Sequence, residues 1–103
     1  MNDEISVQEL SEILEKNPDT VLIDVREQAE FDEVNIGGRL IPLSEFQSRW
    51  QEIPQEEPVY IYCRSGRRSR TALEFLKKQG YGNGFNVGGG ILAWLNEVNP
   101  DGR

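Results

Sequence analysis

The sequence predicts one α/β domain built on a mainly parallel β-sheet, and two observations lead to this prediction. Residues 20–25 and 59–62 are short, largely apolar and rich in β-branched or aromatic residues, as expected for strands covered on both faces. Stretches with helical spacing of apolar residues alternate with these strands, which is typical of a parallel sheet with crossover helices. The length of 103 residues corresponds to a single domain.

A first helix is predicted over residues 7–16. Ser6 and Glu9 have the spacing of a capping box, in which each side chain accepts a hydrogen bond from the backbone N–H of the other residue. The helix is expected to end before Asn17, because a residue that precedes proline is biased away from helical geometry.

The later elements are shorter. In chain order we expect a short strand and exit turn at 40–42, a helix at 44–50, a strand at 59–62, a helix at 68–78, a strand at 84–87 and a last helix with its apolar side at 91–98. Ser44 is expected to cap the helix that follows it, and Gly80 to end the helix at 68–78. Residues 99–103 are expected to form a frayed tail.

The composition excludes several classes of function. The net charge is −7, so neither nucleic acid nor an anionic membrane is an expected partner. The chain has no histidine, which excludes a Cys–His dyad, a Ser–His–Asp triad and a histidine metal ligand. No apolar run approaches a membrane span, and the N-terminus lacks a signal-peptide pattern. We expect a cytoplasmic monomer, in which the single cysteine survives as an exposed thiol.

The single cysteine, Cys63, lies where the strand at 59–62 ends. Ligands in α/β sheets bind beyond the carboxyl ends of strands, and a loop that leads into a helix directs backbone N–H groups at one point. Such an environment, with Gly66 inside the loop and several arginines around it, lowers a thiol pKa and favours the nucleophilic thiolate. The alternative is an inert core thiol, which would require neither the glycine turn nor the arginines.

Residues 63–69, Cys-Arg-Ser-Gly-Arg-Arg-Ser, resemble the active-site loop of the single-domain rhodaneses, which have the thiosulfate sulfurtransferase fold. Two further segments are similar to motifs of this family: Asp24-Val25-Arg26 with its acidic helix, and the Gly-Gly-Ile-x-x-Trp sequence that ends at Trp94. The resemblance implies a rhodanese-like α/β domain over residues 1–103 with its core at about 5–98. It also implies a central, mainly parallel five-stranded sheet with helices on both faces.

The charged residues that follow the strand at 20–25 have a structural interpretation. Asp24 is expected to accept hydrogen bonds from nearby backbone N–H groups, and Arg26 is expected to pair with Glu30. These contacts would tie the loop after the strand to the short acidic helix, so we interpret them as structural rather than catalytic.

Residues 34–43 are similar to the Gly-His-Ile-Pro-Gly-Ala segment of the family but depart from it at three positions. Asn35, Gly37 and Arg39 stand where histidine, proline and a small residue are usual. The apolar residues that follow still predict a short strand, so these departures are expected to change the rim of the pocket and not the fold.

The resemblance implies a sulfurtransferase. The Cys63 thiolate would take a sulfane sulfur from thiosulfate or a persulfide donor, and the Cys63 persulfide would pass it to cyanide, a thiol or a protein acceptor. No metal or organic cofactor is implied. The loop residues expected to bind the small anionic donor are Arg64, Ser65, Gly66, Arg67 and Arg68.

Two alternatives remain open. The domain could be a relay module that carries persulfide between partner proteins and turns over small donors poorly. It could also be an oxyanion enzyme of the phosphatase or arsenate reductase type, but those related loops have five residues between the cysteine and the final arginine. Four residues lie between Cys63 and Arg68. This shorter loop curls into a tighter cup of backbone N–H groups around the cysteine, and in the family such a cup goes with sulfur rather than phosphate.

Overall fold

The computed structural model describes residues 2–102, and these residues form a five-stranded sheet in which every strand pair is parallel. The strands are β1 (Glu4–Ile5), β2 (Val21–Asp24), β3 (Arg39–Leu40), β4 (Val59–Tyr62) and β5 (Gly84–Val87). Their order across the sheet is β1-β5-β4-β2-β3, which places β4 in the centre. The α/β class and the parallel five-stranded sheet predicted from the sequence are confirmed.

The helices alternate with the strands. They are α1 (Val7–Lys16), α2 (Gln28–Glu33), α3 (Phe46–Arg49), α4 (Arg67–Lys78) and α5 (Gly90–Glu97). The bounds of α1 agree with the prediction, because its cap is encoded locally. The Ser6 hydroxyl accepts a hydrogen bond from the Glu9 N–H at 3.1 Å, and the Glu9 carboxylate accepts one from the Ser6 N–H at 2.9 Å.

Two hydrophobic clusters, one on each face of the sheet, form the core. Ile23 and Ile61 point to the face covered by α3 and α4, whereas Leu22, Tyr60 and Tyr62 point to the face covered by α1 and α5. This division follows from the alternation of side chains along a strand. Helices therefore cover both faces, as the resemblance implied.

The segment that follows β3 differs from its prediction. The helix expected at 44–50 is a 3₁₀ turn at Leu43–Glu45, then α3, then a second 3₁₀ turn at Trp50–Glu52. Ser44 does not cap it, because the first turn begins one residue earlier and Ser44 lies inside that turn. The Ser44 hydroxyl instead donates to the Glu27 carboxylate at 3.1 Å.

The frayed tail predicted for residues 99–103 is wrong for the part that the structure describes, and Arg103 lies outside that part. The Trp94 indole N–H donates to the Gly102 carbonyl at 2.9 Å. Gly102 has φ +89°, and a Cβ there would lie 2.7 Å from the Asn35 carbonyl oxygen. The tail is therefore folded back onto the segment after α2. Within residues 2–102, no helix has the length and apolar character that a membrane span requires.

Candidate active site

The loop of residues 63–66 connects the central strand β4 to the N-terminus of α4. Because the sheet is parallel, this loop lies at the edge where the carboxyl ends of all five described strands meet. Gly66 forms the N-cap of α4 with φ +102°, a left-handed conformation that L-residues with a side chain rarely adopt. The sharp turn directs the backbone N–H groups of Ser65, Gly66 and Ser69 at the side chain of Cys63.

The Cys63 thiol is the centre of this arrangement. Its Sγ accepts hydrogen bonds from the Gly66 N–H at 3.1 Å and the Ser69 hydroxyl at 3.3 Å. Burial alone raises the pKa of the Cys63 thiol, but the bonds from the Ser69 side chain and from the backbone N–H groups of Ser69, Gly66 and Ser65 outweigh it, so the pKa lies below its ordinary value.

The expected exposure of Cys63 is wrong. The residue is only 1% exposed and belongs to the hydrophobic cluster under α4. Cys63 therefore lies at the floor of the loop rather than on the surface. It is not an ordinary core thiol either, because its sulfur accepts polar hydrogen bonds that favour the thiolate.

Helix α5 holds the loop from a second side. The Ile91 N–H donates to the Cys63 carbonyl at 2.9 Å, and the Leu92 N–H donates to the Arg64 carbonyl at 3.1 Å. A Cβ on Gly90 would lie 2.4 Å from the Cys63 carbonyl oxygen and 2.5 Å from that of Arg64. Gly90, the first residue of α5, therefore permits a close approach to the loop of residues 63–66, a partner that sequence reasoning did not identify.

Strand β5 supports the loop from below through Asn86. Its side-chain NH₂ donates to the Gly66 carbonyl at 3.2 Å and to the Glu4 carboxylate at 3.0 Å. Asn86 is 3% exposed, so it joins β1, β5 and the loop within the protein interior. Sequence reasoning also missed this residue, although a polar side chain in an otherwise apolar strand is a usable signal.

The arginines of the loop differ in their surroundings. Arg64 and Arg67 are exposed, and neither forms an ion pair with any residue in the range 2–102. Arg68 binds Glu30 of α2 through two bonds of 2.8 Å each. Arg70 binds the acidic side chains of Asp3, Glu4 and Glu74. The cationic character of the loop is thus concentrated on the two exposed arginines.

The Asp24–Arg26 pair fixes the segment that carries Glu30. Both carboxylate oxygens of Asp24 accept bonds from the Arg26 guanidinium, at 2.7–3.1 Å, and Asp24 also accepts the Arg26 N–H at 2.9 Å, as predicted. The predicted pairing of Arg26 with the Glu30 carboxylate is wrong. The guanidinium donates instead to the backbone carbonyls of Glu30 and Val34. Its charge is paired with the buried Asp24 carboxylate, and the Glu30 carboxylate is paired with Arg68.

Two of the three family departures, Asn35 and Gly37, lie in a turn next to Tyr62, the residue before Cys63, and the third, Arg39, begins strand β3. The Asn35 side chain accepts from the Gly37 N–H at 2.8 Å and donates to the Phe31 carbonyl at 3.0 Å. The Tyr62 hydroxyl donates to the Gly37 carbonyl at 3.1 Å. Asn35 thus stabilises this turn through its own side chain, and Arg39 pairs with Glu52 at the surface.

Within residues 2–102, no three His, Cys, Asp or Glu side chains are grouped so that they could share a metal ion. The fold and the loop define a class of α/β protein in which a cysteine at the carboxyl end of a central parallel strand lies inside a turn of backbone N–H groups. The model of the rhodanese-like domain family matches residues 6–97. The chain belongs to this family.

Three similar proteins illustrate the family. A sulfurtransferase of Allochromatium vinosum is 41% identical over 101 residues, which cover 97% of this chain and 94% of that protein. A candidate sulfur carrier protein of Bacillus subtilis is 36% identical over 96 residues; these cover 92% of this chain but only 52% of that protein. The crystal structure of a rhodanese-related protein from Thermoplasma volcanium is 32% identical, with a TM-score of 0.84 and 94% of each chain covered.

Proposed function

We propose that this protein is a sulfurtransferase that carries a sulfane sulfur on Cys63. Membership of the rhodanese-like family and the similar sulfurtransferases support sulfur transfer in general. The assignment of this role to Cys63 rests on one observation. Its sulfur accepts hydrogen bonds from the Gly66 N–H and the Ser69 hydroxyl. These donors stabilise the thiolate, which is the nucleophilic form of cysteine.

The proposed reaction has two displacement steps. The Cys63 thiolate attacks the outer sulfur of thiosulfate, the sulfur–sulfur bond of the donor breaks, and sulfite leaves with the electron pair. The terminal sulfur of the resulting persulfide is anionic and lies where the N–H groups at the start of α4 converge. An acceptor such as cyanide then attacks this sulfur and returns the electron pair to Cys63 as thiolate. No external oxidant or reductant is required.

The arginines of the loop have different roles in this proposal. Arg64 and Arg67 attract the anionic donor, because they are exposed and their charges are not compensated by a described neighbour. Arg68 holds the loop through Glu30. We place the activity in the cytoplasm, where a thiol with no partner cysteine stays reduced.

A second candidate function is that of a persulfide relay. The similarity to a candidate sulfur carrier protein favours it. In this alternative the Cys63 persulfide forms in the same way, but the sulfur passes to a partner protein and turnover with small molecules is poor. Steady-state turnover with thiosulfate and cyanide separates the two functions.

The intact mass of the protein tests the proposal. After incubation with thiosulfate, we expect a mass increase of one sulfur atom, which is lost when cyanide is added. The Cys63→Ser variant is expected to keep its fold, because serine is similar in size, but to show no added sulfur. Persistence of the added mass in this variant would exclude Cys63 as the carrier.

A further inference from the structure

Arg68 and Glu30 form a bidentate ion pair. Each terminal nitrogen of the guanidinium binds a different carboxylate oxygen at 2.8 Å, the bidentate arrangement that makes arginine–carboxylate pairs strong and directional. The hydrogen bonds from Arg68 lower the pKa of the Glu30 carboxyl to about 2. Glu30 is therefore charged at neutral pH and compensates the charge of Arg68.

The position of Glu30 is fixed by two further contacts. Its carboxylate accepts the Glu27 N–H at 2.9 Å and so completes the cap of α2. The carbonyls of Glu30 and Val34 accept bonds from the buried Arg26 guanidinium, which Asp24 anchors to the carboxyl end of β2. These contacts fix Glu30 relative to the sheet, and the ion pair with Glu30 in turn fixes the direction of the Arg68 side chain.

Arg68 is close enough to the cup for its charge to matter there. It is the second residue of α4 and follows Cys63 by only five positions. The charge of the Cys63 thiolate contributes to raising the pKa of Arg68, after the larger effect of the Glu30 hydrogen bonds. A guanidinium released at this position could offer two N–H groups to a tetrahedral oxyanion.

We propose that Glu30 is a positioning residue that sets the substrate class of the loop. By binding both terminal nitrogens of Arg68, it removes this guanidinium from anion binding and leaves the backbone N–H groups as the donors inside the cup. Those donors suit the single anionic sulfur of a persulfide, whereas a phosphate placed inside the cup lacks the guanidinium it needs. Thiosulfate is not excluded, because only its outer sulfur has to enter the cup to reach Cys63. The part of this proposal that concerns sulfur rests on the proposed function, but the exclusion of phosphate does not.

The substitution Glu30→Gln tests the proposal with inorganic phosphate as the probe. Glutamine keeps the oxygen that accepts the Glu27 N–H in a capping box but no longer compensates Arg68. We expect phosphate to bind Glu30→Gln about tenfold more tightly than the wild type, since one charge-assisted hydrogen bond corresponds to a change of that size. The dissociation constant is obtained from the rise of Tm with phosphate at constant ionic strength.

Four further measurements make the result specific. Glu33→Gln removes the same charge from an exposed position of α2 and is expected to bind phosphate as the wild type does. The double variant Glu30→Gln, Arg68→Gln is expected to lose the gain, because the bond is made by Arg68. Phosphate should also slow the reaction of Cys63 with iodoacetamide in Glu30→Gln, which places the anion at the cup. The more conservative Glu30→Asp withdraws the carboxylate by one methylene and is expected to show a smaller gain.

The outcomes separate this inference from the function. Equal phosphate binding by Glu30→Gln and Glu33→Gln, or a gain that survives the loss of Arg68, would overturn the inference. If Glu30→Gln does not fold, Glu30→Asp decides, and the absence of any gain there overturns it as well. The transfer of sulfur to wild-type Cys63 is measured independently by intact mass, so its failure would reject the proposed function while the phosphate results still decide the role of Glu30.

Discussion

At the scale of single residues, two opposing effects act on the Cys63 thiol. Burial favours the neutral thiol, because a charged group loses the solvation of water. The Ser69 hydroxyl and the N–H groups of Gly66 and its neighbours favour the thiolate, and their combined effect is the larger. The pKa of the Cys63 thiol is thus lowered without histidine, which the sequence lacks.

The pH dependence of alkylation should reveal this balance. We expect the rate of reaction of Cys63 with iodoacetamide to rise through a midpoint below about 8.5, the ordinary cysteine value. Ser69→Ala should move the midpoint upward, because the thiolate loses a donor while burial stays. Thr71→Val, which removes a hydroxyl of α4 that donates to the Arg67 carbonyl, should leave it unchanged. A wild-type midpoint at or above about 8.5 would contradict the activation of Cys63.

The loop arginines should differ in their response to salt. Arg64→Ala or Arg67→Ala should weaken capture of thiosulfate by up to about fivefold, since each removes one exposed charge. This loss should shrink as salt rises, because exposed charges are screened over about 8–10 Å. Arg68→Ala should instead lower kcat with little relief from salt, because the bond to Glu30 is lost and the loop moves. Salt-insensitive losses of equal size in all three variants would show that the loop acts as one unit.

The position of the cysteine at the start of a strand-to-helix loop could be predicted from the sequence, but the residues that hydrogen-bond to this loop from other elements could not. Cys63, the glycine turn and the basic run are contiguous, and contiguous patterns are visible in a sequence. Glu30 and Asn86 reach the loop from other elements. No acid occurs within residues 58–73, and the acid that compensates Arg68 lies 38 positions away in the chain.

At the scale of elements, three neighbours clamp the loop: the first turn of α4, the first turn of α5 and strand β5. Gly90 is the position where α5 approaches most closely. Consecutive glycines at 88–90 allow a close backbone approach, yet the sequence could not identify the partner, because that contact joins segments far apart in the chain. For the same reason the two-residue strand β1 is visible only through its pairing with β5.

A pair of glycine substitutions should separate backbone strain from close packing. Gly80→Ala places a side chain at φ +97° with nothing within 4 Å, so it should destabilise the fold by about 1 kcal/mol. Gly90→Ala meets the same kind of strain at φ +57° and also collides with two loop carbonyls, which should add roughly 1–3 kcal/mol. Urea denaturation measures both. Only Gly90→Ala should also lose persulfide formation; equal effects of both variants would show that α5 does not support the loop.

At the scale of the whole molecule, the central sheet separates the core into two clusters that share strands β2 and β4. Each cluster contains one tryptophan: Trp50 packs against the cluster under α3 and α4, and Trp94 belongs to the cluster under α1 and α5. The order of motifs in the sequence predicted the sheet and the helices on both faces. That the 103 residues behave as one domain remains a prediction, and the two tryptophans provide the means to test it.

We expect the two faces to unfold together. Alternate residues of β4 contribute to both clusters, with Ile61 in one and Tyr60 and Tyr62 in the other, so neither face can lose its packing while β4 stays ordered. In Trp94→Phe the fluorescence reports Trp50, and in Trp50→Phe it reports Trp94. Each substitution is expected to shift stability. Trp94→Phe, for example, also removes the hydrogen bond from the indole N–H to the Gly102 carbonyl. Within each variant, however, the urea midpoint from fluorescence should equal that from far-UV circular dichroism. A fluorescence transition that precedes the loss of secondary structure in either variant would show that the sheet supports two separable units.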